Sequence, residues 1–394
     1  METEAEYSLG IFQDPTVSSE TQMENAQSSA ILPTLPSELI NEILLRLPVK
    51  TLLRFRSVSK SWLALISSPQ FINTHLSLSA NNKDYTHHRL ILSLSRPNKK
   101  NLNVCSVRSL LKESVVEPCG LDCPLKDKFQ ILDSVNGLIC LMVGVEAFFI
   151  WNPSIRKFKK VTAEAVERYG QKVFGFGYDE LQDDYKILRM CMTTSYELKV
   201  ELYSLKSDSW RIVDDFPAGR RQSGLAKLVN GKLHWVNFDS HPWGNEGDII
   251  SFGDIISFDL ADEKWGKLEK PCYRKRDFCN KLGVLGSDLC MFNDYENTFA
   301  DVWVMKEYGV KESWAKIYTI NFSHDISKYC WSPLFCKSNE GEVLLVYGSR
   351  FMIYSPKDDS IKYLELANFK FGFDANFYVE SLVFPFANDP RTQQ

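Results

Sequence analysis

Several kinds of residue pattern are missing from this chain of 394 residues, and each absence removes a class of function. Histidine is scarce, at positions 75, 87, 88, 234, 241 and 324. None of them stands with carboxylates or cysteines at metal-ligand spacing, so no metal or other cofactor is expected. Ten cysteines occur, but no two are spaced C-x-x-C as in a zinc knuckle. There is no G-x-S-x-G, no P-loop, and no G-x-G-x-x-G followed by an acidic residue. Gly175 and Gly177 are too close together for a nucleotide loop and suit a tight bend in a strand. No apolar run approaches the roughly 18–20 residues of a membrane span. An excess of either charge is also lacking, since the net charge is only −4. That balance offers little to nucleic acid or to an anionic membrane.

Basic residues are absent before Arg46, whereas Glu2, Glu4, Glu6, Asp14, Glu20 and Glu24 crowd residues 1–30. A secretory signal needs a basic start and an apolar stretch, and a transit peptide is Arg-rich and acid-poor. Neither pattern is present, so 1–30 reads as a disordered acidic tail and the expected location is cytoplasm or nucleus. Free thiols follow from that compartment. Cys140 and Cys290 lie inside apolar runs and read as small core residues. His234, beside Trp235 in an apolar strand, reads as a satisfied core histidine.

What the chain does have is apolar surface, with 44% apolar and 13% aromatic residues. Between Leu35 and Phe71 that surface is arranged helically. Leu39, Ile43 and Leu47 recur at i, i+4 and i+8, and Ile40 and Leu44 form a second stripe beside them. Pro36 suits the first turn of this helix and Pro48 ends it. A second short helix carries Leu52, Leu53 and Phe55. A third carries Val58, Trp62, Leu65 and Ile66 and is expected to stop at Pro69. Three short helices with two apolar faces each leave one face to be covered, either by a partner protein or by the rest of the chain.

Leu35-Pro36, the turn Arg46-Leu47-Pro48-Val49-Lys50 and the run Val58-Ser59-Lys60-Ser61-Trp62 resemble the F-box of plant F-box proteins. The resemblance implies a three-helix module docked on a Skp-type adaptor, and through it on a cullin and a RING subunit. Carried over position by position, Leu35, Pro36, Ile43, Leu44, Leu47, Pro48, Leu52, Val58 and Trp62 would face the adaptor.

After Phe71 the pattern changes to short alternating apolar runs separated by Gly, Asn, Asp and Ser, the signature of many short strands. A repeat runs through them. Trp151, Tyr203 and Phe258 are each followed at seven residues by a second aromatic, Phe158, Trp210 and Trp265. Trp303 is followed by Trp314 with four extra residues, and Tyr354 by Tyr363 with two. The leading aromatics are spaced by 52, 55, 45 and 51 residues. Asn136-Gly137, Asn230-Gly231, Leu285-Gly286 and Glu340-Gly341 mark hairpin turns before them, and Phe174-Gly175-Phe176-Gly177 takes the corresponding place in another unit. A period near fifty with about four strands per unit is that of a kelch-type propeller, although the kelch double glycine is absent from every unit. A weaker unit at about 88–116 would make six blades, and Phe377–Phe384 is a candidate strand to close the ring. An open pair of β-sandwich sheets is the other architecture these strands allow.

Ser134-Val135-Asn136-Gly137-Leu138-Ile139-Cys140, Trp151-Asn152-Pro153-Ser154, Gly175-Phe176-Gly177-Tyr178-Asp179 and Asp183-Asp184-Tyr185-Lys186 resemble the F-box-associated domain of plants. Asp301-Val302-Trp303-Val304-Met305 with Glu312-Ser313-Trp314 adds to the likeness. The expected organisation is α+β and multidomain. An acidic tail at 1–30 precedes an F-box at 31–78, an all-β propeller-like domain of about six degenerate blades at 88–385, and a tail at 386–394. The resemblance implies a non-catalytic substrate receptor of an SCF-type ubiquitin ligase, which holds an unknown protein for ubiquitination and proteasomal degradation. A non-degradative scaffold and a propeller enzyme are the alternatives.

Three basic clusters, Lys157-Phe158-Lys159-Lys160, Arg220-Arg221 and Arg274-Lys275-Arg276, fall where loops between strands are expected. They are either solvated loop charge or a rim that reads an acidic substrate segment. Trp243, in the Gly-rich stretch His241–Asp254, is either an interface anchor or a residue tucked into a neighbouring blade.

Overall fold

The computed structural model describes residues 35–386, apart from 97–98, 126–127, 165–171, 193–197, 214–215, 217–220, 223, 239–251, 273–278, 296–297, 322–333, 348–349 and 367–372. The tail at 1–30 therefore lies outside the described residues, as do Arg220, Trp243, Arg274, Lys275 and Arg276.

Four helices open the described chain: α1 (Ser37–Leu45), α2 (Val49–Phe55), α3 (Lys60–Ser67) and α4 (Pro69–Ala80). The expectation of three is corrected by Pro69. It does not simply end α3 but takes the first position of α4, where its missing N–H costs nothing. Serines punctuate the rest. The Ser59 hydroxyl accepts from the Trp62 N–H at 3.1 Å to start α3, and Ser68 accepts from the Phe71 N–H at 3.2 Å to start α4. Leu44, Leu45, Val49, Leu52, Ile66 and Phe71 meet in a core between the helices.

The remaining chain folds into six antiparallel sheets. Blade 2 runs outward from Gln130–Val135 through Leu138–Val143 and Ala147–Asn152 to Lys157–Thr162. Blade 3 follows with Lys172–Asp179, Asp184–Met192, Leu198–Ser204 and Ser209–Ile212. In blade 4, Arg221–Gln222 and Lys227–Val229 share the innermost place, ahead of Lys232–Phe238, Phe252–Asp259 and Trp265–Leu268. Blade 5 comprises Cys279–Leu285, Asp288–Tyr295, Phe299–Met305 and Trp314–Asn321. Blade 6 comprises Leu334–Lys337, Val343–Tyr347, Arg350–Ser355 and Ser360–Leu366. Blade 1 is composite: His88–Arg96, Lys99–Ser106 and Cys119–Leu121 come from the start of the domain, while its innermost strand, Phe373–Val379, comes from the end.

Closure is visible in the packing. Six apolar clusters fill the six gaps between neighbouring blades, including the gap between blades 6 and 1, where Leu90 and Leu92 meet Leu344 and Phe351. An open sandwich would leave two faces uncovered, so the architecture is a ring. The closing strand pairs with His88–Leu94. It lies four residues earlier than the stretch Phe377–Phe384, because the chain leaves the sheet after Val379. A short helix α5 (Val107–Lys112) follows the third strand of blade 1, and Val115–Val116 then pairs in parallel with Glu365 and Leu366 on the outer edge of blade 6.

The aromatic repeat is a cross-strand register. Trp151 faces Phe158, Tyr203 faces Trp210 and Phe258 faces Trp265 across neighbouring strands. Five residues after each leading aromatic the turn takes positive φ, at Arg156, Asp208 and Glu263. In blade 6 the same register pairs Tyr354 with Ile361, and the positive φ falls at Asp359. The seven-residue spacing is therefore kept there by an isoleucine, and Tyr363 faces Met352 instead. Tyrosines brace these turns: Tyr203 donates to Asp208 at 2.7 Å and Tyr354 to Asp359 at 3.0 Å.

Candidate functional site

Because strands alternate in direction, the propeller has two ends with different connections. At one end lie tight turns with positive φ, among them Asn136-Gly137, Asp183, Asn230-Gly231, Gly286 and Gly341. The four helices sit at this end: Ile155, in the turn between the last two strands of blade 2, packs against their core. At the other end lie the strand termini that flank residues 165–171, 193–197, 217–220, 239–251, 273–278 and 322–333, which are outside the described residues. Arg220, Trp243, Arg274, Lys275 and Arg276 belong to three of these stretches of sequence, 217–220, 239–251 and 273–278. In sequence these three fall between blades 3 and 4, within blade 4, and between blades 4 and 5, and the five residues themselves lie outside the described residues. Arg221 begins the short strand Arg221–Gln222, which pairs with Phe238 and Asn237.

The remaining basic cluster is not in a loop. Lys157–Thr162 is the outer strand of blade 2, and Lys159 forms an ion pair with Asp208 of blade 3 at 2.6 Å.

On the helical module, the apolar side chains divide by burial. Leu44 and Leu52 are 1% and 0% exposed, inside the module's own core, so neither has surface to offer a partner. That corrects their assignment to the docking face. The i, i+4 spacing places a stripe but does not say which of two adjacent stripes turns inward. Leu35, Ile43 and Val58 are about half exposed or more, at 55%, 50% and 61%. Pro36 and Pro48 are exposed, while Leu47 and Trp62 are half-buried. The Trp62 ring meets Phe55 edge-on at 5.3 Å, which fixes it at the margin of the core. Leu39 and Leu63, not among the candidates, are also widely exposed and extend the patch. Leu39 was legible, since it opens the stripe that continues in Ile43.

His75 joins the helices from within. Its Nε2 lies 2.9 Å from the Leu47 carbonyl beyond the end of α1, and its ring meets His87 at 5.5 Å. Burial holds His87 and His88 down to about 4, so both are neutral near pH 7. Among the described residues no group of three or more His, Cys, Asp or Glu is placed to hold a metal ion. No helix among them is long and apolar enough to cross a membrane. Cys140 and Cys290 are fully buried, and burial pushes the Cys290 thiol up to about 12.

Sequence reasoning missed two buried cations on one strand of blade 3. Lys186 donates to Asp179 at 2.8 Å and to the Leu260 carbonyl of blade 4 at 2.6 Å. Arg189, on the opposite face, pairs with Glu201 and donates to the Val145 and Glu164 carbonyls on the blade 2 side at 3.1 and 3.0 Å. Each clasps one neighbouring blade. An isolated Lys or Arg in a strand gives no sign that it will be enclosed.

A helical module bearing an unpartnered apolar face, seated on the tight-turn end of a six-bladed ring, defines a two-module protein. Comparison with known proteins agrees. The family model of the F-box domain matches residues 32–74, and that of the F-box associated beta propeller domain matches residues 97–384. The chain belongs to the F-box proteins that carry this propeller. An F-box/kelch-repeat protein of Arabidopsis thaliana is 30% identical over 365 residues, covering 89% of this chain and 96% of that one. F-box protein CPR1 of the same plant is 28% identical over 381 residues, covering 89% of each. Among solved structures, TolB from Acinetobacter baumannii is similar with a TM-score of 0.46 and 12% identity, over 79% of this chain and 73% of that one.

Proposed function

We propose that this protein is the substrate-recognition subunit of an SCF-type ubiquitin ligase. The F-box docks on a Skp-type adaptor and brings in the cullin and RING subunit. The propeller holds a protein substrate, and the chain catalyses nothing itself. Its contribution is proximity: a substrate lysine is held near the ubiquitin thioester until transfer, and proteasomal degradation follows. Cytoplasm and nucleus are the compartments in which that machinery works.

The observation that carries this reading is the exposed face of Leu35, Leu39, Ile43, Val58 and Leu63 on a module whose own core is already filled by Leu44, Leu52 and their neighbours. The propeller fills its gaps with its own side chains, so nothing in the described chain covers this face. An apolar patch of this kind marks a protein interface. The substrate side is assigned to Arg221 of the short inner strand in blade 4 and to the stretches of sequence between and within blades 3 to 5 that carry Arg220, Trp243 and Arg274–Arg276.

The test is capture from plant tissue with the wild-type chain and with Leu35→Ala/Pro36→Ala. The double variant is expected to lose adaptor and cullin while keeping its fold, since both side chains are exposed. Removal of a central apolar anchor costs roughly 2 kcal/mol or more of binding. Equal recovery of adaptor by both proteins would refute the docking face.

A further inference from the structure

The closing strand Phe373–Val379 does not end the structure. Beyond it the chain leaves the sheet as a strap, residues 380–386, and passes under the F-box. The Glu380 N–H donates to the His87 carbonyl at 2.9 Å, and the Glu380 carboxylate pairs with Arg89 at 3.1 Å. The Asn152 side-chain amide then grips the strap. Its Nδ2 donates to the Ser381 carbonyl and hydroxyl, each at 3.1 Å, and to the Val383 carbonyl at 2.8 Å. Asn152 Oδ1 accepts from the Ser154 N–H at 2.9 Å, which fixes the amide in this orientation. Ser381 lies so close over Gly137 that a Cβ there would collide with it. Two of the motifs that stood out in the sequence, Asn136-Gly137 and Trp151-Asn152-Pro153, thus converge on one strap.

What the strap delivers is Leu382. This side chain is 1% exposed and belongs to the same cluster as Leu44, Leu45, Leu52, Ile66 and Phe71. Two residues on, the Phe384 ring lies 5.9 Å beneath the Arg56 guanidinium of α2–α3.

We infer that the strap is an integral part of the F-box core, so that closing the propeller and seating the F-box are one coupled event. The residues that zip the ring on blade 1 run without a break into those that complete the helical core. A ring that opens at Phe373–Val379 withdraws Leu382 from among the helices, and helices that loosen release the strap. Coupling of this kind is reciprocal. With the adaptor-docking reading above, on which this consequence rests, it means that adaptor bound to the helices tightens the ring, and that only a closed propeller presents a fully formed docking face.

Amide hydrogen exchange on the full-length chain tests this, comparing wild type, Leu382→Asp, the milder Asn152→Ala, and Leu181→Asp as an exposed control at 85% accessibility. Both strap variants should accelerate exchange in α1–α4 and across the pair Phe373–Val379 and His88–Leu94, by about tenfold or more for Leu382→Asp. Blades 3–5 should be unchanged, and the control should match wild type. Unchanged helices in both strap variants would overturn the inference, as would equal acceleration in blades 3–5. Purified Skp-type adaptor added to wild type should slow exchange in residues 373–384 as well as in the helices, and protection confined to the helices would overturn the coupling. Failure of wild type to bind adaptor at all would instead refute the proposed function, with the exchange of the variants still deciding the place of the strap.

Discussion

His234 is enclosed between blades 4 and 5, fully buried, with Nδ1 3.1 Å from the Lys227 carbonyl and Nε2 2.8 Å from the Tyr308 hydroxyl. A neutral imidazole satisfies both contacts, donating through one nitrogen and accepting through the other. Burial is the main cause that holds its pKa down to about 4. The folded value lies below the unfolded one of about 6.5, so the unfolded chain takes up the proton first. Stability from this residue is complete above pH 6.5 and is lost as pH falls towards 4. The gap between the folded and unfolded values corresponds to roughly 3 kcal/mol for this buried group. Urea unfolding of wild type should therefore show stability falling across that window. His234→Gln, which cannot take up the proton, should flatten the slope in part, while His75, His87 and His88, whose values are also lowered by burial, keep contributing to it. An unchanged slope in the variant would show that His234 is not a titrating group of the core. At this scale the sequence was informative about the kind of residue and poor about enclosure. His234 beside Trp235 read as core because its neighbours are apolar. Leu44 and Leu52 read as docking residues only through their match to the F-box pattern, and only the positions of α3, α4 and Leu382 decide which of the apolar side chains turn inward.

The elements were legible where a turn imposes a rule. Asn136-Gly137 and Asn230-Gly231 take positive φ at both central positions, as a two-residue hairpin requires. The blade period was legible because a leading aromatic and its partner seven residues on are cross-strand neighbours, and the turn between them has a fixed length. It was misread at Tyr354, where the partner is Ile361 and the side-chain type no longer marks the register. The fourth helix is hard to read from sequence because Pro69 can stop one helix or start the next, and here it starts α4. Gly175 and Gly177 were placed at a bend, whereas both lie within Lys172–Asp179, the inner strand of blade 3. Their function is close approach. A Cβ on Gly175 would stand 2.7 Å from Leu233 Cδ1 and 3.0 Å from the Ala226 Cβ of blade 4, and one on Gly177 would stand 2.5 Å from Leu260 Cδ1. The gap between blades 3 and 4 is thus set by the missing side chains. Gly175→Ala should destabilise the protein by about 1–3 kcal/mol, as overpacking of a filled interior does. Gly286→Ala is no control, since its φ is positive. Gly120→Ala, where nothing stands within 4 Å, is the appropriate one and should stay within about 0.5 kcal/mol of wild type. Equal stability of the Gly175 variant in chemical denaturation would mean that blade 4 can retreat at no cost.

For the whole molecule, the alternation of strands puts the helical module at one end of a closed ring and leaves the other end to a different set of strand termini. Six filled gaps between blades leave little freedom for one end to move relative to the other. The F-box is fixed to the tight-turn end by Leu382 and Ile155. The strand termini that flank residues 217–220, 239–251 and 273–278 lie at the other end. Substitutions on the rim that leave the ring closed and the strap seated should therefore not alter binding at the other end. Substituting Arg274→Glu with Arg276→Glu, and separately Trp243→Ala, should change which proteins the propeller retains and leave adaptor affinity within about twofold of wild type, since binding effects at separate sites with no shared partner add. Surface charges on a rim act mainly on association rate and specificity, so the charge-reversed variant should also lose the salt dependence of substrate capture. A drop in adaptor affinity in either variant would show that the two ends communicate through the ring. Retention of the same captured proteins by both variants would move the substrate site away from this rim, either to the outer strands of the blades or to the tight-turn surface that the F-box leaves open. On the proposed receptor reading, the separation of ends would hold a substrate at a fixed distance from whatever the helices have docked.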